Sequence, residues 1–223
     1  MKIDFVSDVA CPWCAVGLNA LEQALAAVGR DGIHVDLLFQ PFELNPQMPP
    51  EGEDADEHLA RKYRSTPEQR TAARANLRQR GAEVGFNFGT RSRVWNTFDA
   101  HRLLHWAGLQ ADGGSAQRAL KHALLQAYHG DGRNPGAREV LIEVAAAVGL
   151  DATRTAAILD SDEFAADVRA SEAHWHQLGI NSVPSVIVND RHLIQGGQPA
   201  EVFERVLREI AAKPDKSAAE AAA

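Results

Sequence analysis

Two cysteines separated by two residues, Cys11 and Cys14, are the side chains of this protein best suited to do chemistry, and they are the only cysteines in its 223 residues. Thiols at this spacing can close a small disulfide ring and open it again, which is the chemistry of thiol–disulfide exchange. That chemistry needs a thiolate. A free cysteine titrates near ~8.5, so the surroundings must favour the anion. Pro12 suits the first position of a helix, where its missing N–H costs no hydrogen bond. A helix starting there points its unpaired N–H groups and partial positive charge at Cys11. Cys11 is thus the expected exposed nucleophile, and Cys14, one turn into the helix, the buried resolving thiol. A zinc site weighs less. His101 and His105 stand at i, i+4, which is ligand spacing on a helix, but the interval from Cys14 to His101 matches no finger pattern, and no metal is expected.

The elements that must position the pair can be traced along the chain. Ile3 to Val6 is a short β-prone run. Leu18, Leu21, Leu25 and Val28 then mark one apolar helix face that stops at Gly29. Val35 to Phe42 is a second strand, apolar enough to be covered on both faces. Strand, CxxC, helix and strand make a right-handed βαβ unit, and CxxC beside such a unit is a thioredoxin-like signature. From residue 45 to 178 no strand pattern appears. Thr66-Pro67-Glu68-Gln69, Asn134-Pro135 and Ser161-Asp162-Glu163 each open a predicted helix, and the acidic run Glu51 to Glu57 reads as a solvated loop. Trp95, Phe98, Leu103 and Trp106 are expected in the core of this helical stretch. Strand vocabulary returns at Val186-Ile187-Val188 and His192-Leu193-Ile194, separated by a turn at Asn189-Asp190. Pro199 then opens a helix with the stripe Val202, Phe203, Val206, Leu207 and Ile210.

Composition limits the partners. A hydrophobic fraction of 45% permits a full core. The net charge of −7, from 23 basic and 30 acidic residues, comes with no basic run, so nucleic acid is not an expected partner. No leader-like or membrane-spanning apolar run stands out, and the chain is expected to be soluble and cytoplasmic, with no membrane partner. In that reducing compartment a CxxC is catalytic or metal-binding rather than a structural staple.

Four segments carry a family resemblance: Ser7-Asp8-Val9-Ala10-Cys11-Pro12-Trp13-Cys14, Asn96 to Leu104, Gln126-Ala127-Tyr128, and Gly179 to Ser185 with its Val183-Pro184 dipeptide. Together they resemble the DsbA family of thioredoxin-fold oxidoreductases, its FrnE-like branch in particular, related to 2-hydroxychromene-2-carboxylate isomerase and kappa-class glutathione transferase. The resemblance implies an α/β thioredoxin fold, βαβ then ββα, with a large all-helical insertion. Residues 1–44 and 179–212 would form the thioredoxin-fold domain, 45–178 the inserted helical domain, and 213–223 a disordered tail. It also implies a cis bond before Pro184, with Pro184 against the CxxC and the Val183 backbone pairing with extended substrate. Pro12, Trp13, Val183 and Pro184 would then bind substrate, with Phe42 in an apolar rim.

The expected function is thiol–disulfide exchange on protein disulfides, as a reductase or isomerase, with no cofactor required. Trp13 brings no positive charge, which points to a less extreme thiolate and a less oxidising couple than that of periplasmic DsbA. The alternatives are a glutathione-dependent isomerase or transferase of a small, polyketide-like molecule, with glutathione as co-substrate, and a redox-gated chaperone. His101, Asn96 and Asp99 lie where a side chain facing the thiols could relay protons, although a helical histidine is more often hydrogen-bonded at a surface or lobe junction.

Overall fold

The computed structural model describes residues 1–111 and 113–212. β1 (Lys2–Ser7), α1 (Pro12–Gly29) and β2 (Asp36–Pro41) come first. A helical stretch follows: β3 (Glu53–Asp54), α2 (Ala55–Tyr63), α3 (Pro67–Glu83), β4 (Arg93–Val94), α4 (Phe98–Gly108), α5 (Gly113–Leu125) running on into a π-helical turn (Gln126–Gly130), α6 (Arg138–Ala147), α7 (Ala152–Leu159) and α8 (Ala165–Gln177). β5 (Ser185–Val188), β6 (His192–Gln195) and α9 (Ala200–Ala211) complete the order. Residues 213–223, expected as a tail, lie outside the described residues.

β1 is central in the sheet β2-β1-β5-β6. It runs parallel to β2, with Phe5 opposite Phe39, and antiparallel to β5, with Phe5 opposite Val186. The β5–β6 hairpin turns through Asn189, Asp190 and Arg191, the first two with positive φ. The Asn189 side chain accepts the Lys2 N–H, tying the turn to the start of β1. α1 and α9 cover one sheet face, burying Leu18, Leu21, Phe203 and Leu207 completely against Ile3, Phe5, Val186 and Val188. Each such side chain contributes about 1.5–3 kcal/mol. A second core forms among the helices around Leu103, Leu120, Leu124, Leu141 and Ile158. The two cores interlock. Val84, Phe86 and Leu125 of the helical stretch join the sheet core, whereas Val9 and Ala10, next to the cysteines, join the helical one.

Several expectations are corrected. The stretch between 45 and 178 does contain strands: β3 and β4 pair antiparallel, Glu53 with Val94, but two residues are too short to show a period of two. The acidic run is not a plain loop. Gly52 is buried, and Asp54 caps α2 by accepting the N–H groups of Asp56 and Glu57 at 2.8 and 3.0 Å. Of the three predicted helix starts, Thr66 holds, with a reciprocal capping box to Gln69. Asn134 instead folds a turn by accepting the Gly136 N–H, and α6 starts at Arg138. Ser161 likewise accepts the Glu163 N–H, and α8 starts only after Phe164, whose φ is +62°. β2 is an edge strand whose Asp36 is exposed, so it is not covered on both faces throughout. Leu103 and Trp106 are core residues, but Trp95 and Phe98 are only half buried, with Arg93 and Arg169 over their rings at 5.1 and 3.7 Å.

Candidate active site

Cys11 is the residue before the first turn of α1, in extended conformation and with no side-chain cap of its own, and Pro12 takes the first helical position. The Cys11 Sγ lies 3.5 Å from the Val183 carbonyl oxygen, and the Val183–Pro184 peptide bond is cis. Two glycines make this approach feasible. A Cβ on Gly17 would stand 2.9 Å from Pro184 Cγ, and one on Gly197 would stand 3.1 Å from the Trp13 carbonyl oxygen. Four of the residues singled out in the sequence, Cys11, Trp13, Val183 and Pro184, thus meet at the start of α1, and Cys14 lies beneath them. Pro12 faces a neighbouring cavity between α2 and α3.

The expected contrast between an exposed Cys11 and a buried Cys14 is corrected: Cys11 is 4% exposed and Cys14 0%. The Val183 carbonyl and the first N–H groups of α1 close over the Cys11 sulfur. The two thiols differ in proton affinity instead. A hydrogen bond from the Cys14 side chain, helped by the Cys14 and Trp13 N–H groups, holds Cys11 below the usual thiol range against the opposing effects of burial and of Asp8. Burial pushes Cys14 well up, and the neighbouring Cys11 pushes it further.

Beneath the thiols lies a polar layer, of which His101 alone was singled out in the sequence. Asp8, fully buried, accepts the Ala10 and Leu44 N–H groups at 2.9 and 2.7 Å and the Thr97 hydroxyl at 2.7 Å, and its Oδ1 lies 3.4 Å from His101 Nε2. Burial alone would raise its carboxyl, but the His101 ring and the two N–H groups outweigh burial and hold it below the usual range. Lys121 is 1% exposed, and burial lowers its ammonium despite the nearby thiols and Asp8. A cavity of about 180 Å³ under β2 and α4 reaches both Lys121 and His101. His129, on the π-helical turn, donates from Nε2 to the Val9 carbonyl at 2.8 Å, and burial, with Arg91 second, pushes it down to about 3.

Of the three insertion residues considered for a relay, only His101 reaches the site. Asn96 closes a local turn by accepting the Phe98 N–H, and Asp99 pairs with Arg102. Phe42 is not part of a rim: it is buried against Val6, Trp175 and Ile187, with its ring 4.8 Å from that of His176. The missed residue with a readable signal is Lys121. Gln117, Lys121 and Leu125 are spaced by four on α5, and Leu125 is fully buried, so a lysine on that row faces the interior.

A four-stranded thioredoxin-like sheet, a dithiol at a helix N-terminus and a proline loop against it define a thioredoxin-fold thiol protein carrying a helical insertion. The chain belongs to the DSBA-like thioredoxin domain family, whose model matches residues 2–208. It is similar to the crystal structure of the probable DsbA oxidoreductase SCO1869 from Streptomyces coelicolor, with 35% identity, 96% of this chain and 92% of that one covered, and a TM-score of 0.87. The uncharacterized protein YwbO of Bacillus subtilis (strain 168) is 27% identical over 208 residues, 93% of this chain and 96% of that protein. The cytosolic disulfide reductase DsbM from Pseudomonas aeruginosa, solved with GSH, shares the fold at a TM-score of 0.64 and 18% identity, with 96% and 100% of the two chains covered. Among the described residues, no helix is long and apolar enough to cross a membrane.

Proposed function

We propose that this chain is a cytoplasmic thiol–disulfide oxidoreductase that reduces or isomerises protein disulfides, with Cys11 as nucleophile and Cys14 as resolving thiol. The observation that carries this reading is the geometry of the pair: Cys11 stands at the N-terminus of α1 against the cis Val183–Pro184 loop, with Cys14 fully buried three residues on. That geometry favours Cys11 as thiolate and keeps Cys14 protonated. The Cys11 thiolate attacks one sulfur of the substrate disulfide. A Cys11–substrate bond forms, the substrate S–S bond breaks, and the leaving thiolate takes up a proton. Cys14 then gives up its proton and attacks Cys11 Sγ, closing the Cys11–Cys14 disulfide and releasing the second substrate thiol.

A low-molecular-weight thiol, with glutathione as the candidate co-substrate, returns the pair to the dithiol, and no other cofactor is required. Trp13 and Pro12 flank the attacked bond, Pro184 backs it, and the Val183 backbone pairs with an extended substrate segment. Main-chain pairing is indifferent to side-chain identity and suits broad choice among protein substrates. The test is trapping. In a Cys14→Ala protein the mixed disulfide on Cys11 persists, and intact mass identifies the adduct. A Cys11→Ser protein that reduces insulin disulfides at the wild-type rate overturns the proposal.

A further inference from the structure

Beside Pro12 lies a cavity of about 310 Å³ between α2, α3 and the loop 88–92. Its apolar lining comes from Pro12, Leu77 and Phe88, and three arginines line it as well, Arg74, Arg78 and Arg91. Two carboxylates, Asp54 and Asp56, share the wall, but both are engaged. Asp54 accepts the N–H groups that start α2, and Asp56 pairs with Arg70 and Arg74. Arg70, Arg74 and Arg78 form one row along α3 at four-residue spacing, and Asp56 answers only the first two. Among the described residues, Arg78 has no carboxylate partner. Arg91 has none either: it donates to the Ala10 carbonyl at 3.2 Å and lies over the Tyr128 ring at 5.2 Å. His129, which also lines the cavity, is neutral near pH 7 and offsets nothing.

The protein as a whole carries a net charge of −7 and repels anions at long range. The cavity wall next to the reactive cysteine has the opposite sign: three arginines face two carboxylates, and Arg78 and Arg91 have no carboxylate partner among the described residues. We propose that this cavity binds a carboxylate on an amino-acid-sized apolar body, held on one arm of the disulfide that Cys11 attacks. The proposal rests on the dithiol reading above and adds a substrate class to it: disulfides bearing a carboxylate near the scissile bond. The site captures that arm before exchange. Cys11–S formation and substrate S–S cleavage then proceed as already described, and the reduced protein's own dithiol supplies both electrons.

The test uses the full chain, fully reduced, in single turnover with no added thiol, so the dithiol converts one disulfide to two thiols and becomes Cys11–Cys14. Quenched samples are alkylated and counted by intact mass. Second-order rate constants are measured for dianionic 3,3′-dithiodipropionate and for neutral bis(2-hydroxyethyl) disulfide, each divided by that disulfide's rate constant with dithiothreitol. A second arm compares two short peptide disulfides that differ only in Glu or Gln beside the cysteine.

The expected result is an anion-to-neutral ratio above one in wild type that falls about three- to tenfold in Arg78→Gln, as losing a partly exposed charge-assisted contact implies. Arg205→Gln, on α9, changes net charge equally and should leave the ratio unchanged. A preference in the first arm identifies small disulfides as the source of the carboxylate, and one in the peptide arm alone identifies an acidic side chain of a protein substrate. Ratios at or below one in both arms, or a ratio that Arg78→Gln does not move, overturn the proposal while leaving the dithiol reading intact. If none of the disulfides oxidises the pair, both fall.

Discussion

His129 makes pH the lever on the stability of the π-helical turn. Its ring is buried, donates to the Val9 carbonyl two residues before Cys11, and is pushed down to about 3 from an ordinary 6.5. The folded value lies below the unfolded one, so the stability gained by keeping the ring neutral is complete above pH 6.5. It is lost progressively as pH falls toward 3, because only the unfolded chain takes up the proton in that window. Each unit is worth about 1.36 kcal/mol, and pH 5 lies about 1.5 units below the unfolded value, so His129 accounts for a loss of about 2 kcal/mol between pH 7 and pH 5. Any folded value at or below about 4 gives the same figure.

His129→Gln keeps a donor for Val9 but does not titrate, so it should be less stable than wild type at pH 7 and close the gap by about 2 kcal/mol at pH 5. The assay is urea unfolding of both proteins, reduced, at pH 7, 6 and 5. The other histidines and the carboxylates titrate in both proteins and cancel in the difference. Two stability curves that run parallel within about 0.5 kcal/mol would refute the reasoning, because a buried neutral histidine cannot be without a pH signature.

Two further outcomes follow from the packing around the thiols. Gly17→Ala gains about 1 kcal/mol of helix propensity, but its Cβ meets Pro184 Cγ at 2.9 Å and Gly197 Cα at 3.3 Å, and overpacking of this kind costs about 1–3 kcal/mol. Urea unfolding should show a net loss, together with slower reaction of Cys11 with a small disulfide; a stabilised variant would show that the proline loop is free to move away. Lys121→Met removes a cation buried at considerable desolvation cost, so chemical unfolding should show the reduced protein at least as stable as wild type. It also removes the charge that lowers Cys14's proton affinity, so closure of a preformed Cys11 mixed disulfide by Cys14 should slow by up to about tenfold at pH 7, followed by release of the leaving thiol. Unchanged closure would mean that Lys121 does not act on Cys14.

The parts of this protein legible in its sequence are those coded by local pattern. The apolar spacing of α1, the Asn189-Asp190 turn and the Thr66 capping box each act within a few residues, and each is found where its pattern lies. Asn134 and Ser161 show the limit: the same side-chain oxygen that caps a helix also closes a turn, and only the following residues' packing decides which. The role of Asp8 was opaque for a different reason. Its partners come from distant segments of the chain, and nothing local marks an aspartate that will accept bonds from Leu44 and Thr97. The burial of Cys11 was equally invisible, since the Val183 carbonyl that faces it arrives from the far end of the chain.

The antiparallel pairing of β1 with β5, Ile3 opposite Val188, has a consequence for biosynthesis. The central strand of the sheet waits for a partner translated nearly the whole chain later. At about 5–20 residues per second, that delay is on the order of 10–40 s. During it the pocket wall that shelters the Cys11 sulfur does not exist, and both thiols ride on a nascent chain without their proline loop. Assembly of the full sheet therefore waits for β5. Any partner that reacts with these cysteines before β5 is made meets a CxxC without the Val183–Pro184 loop against it.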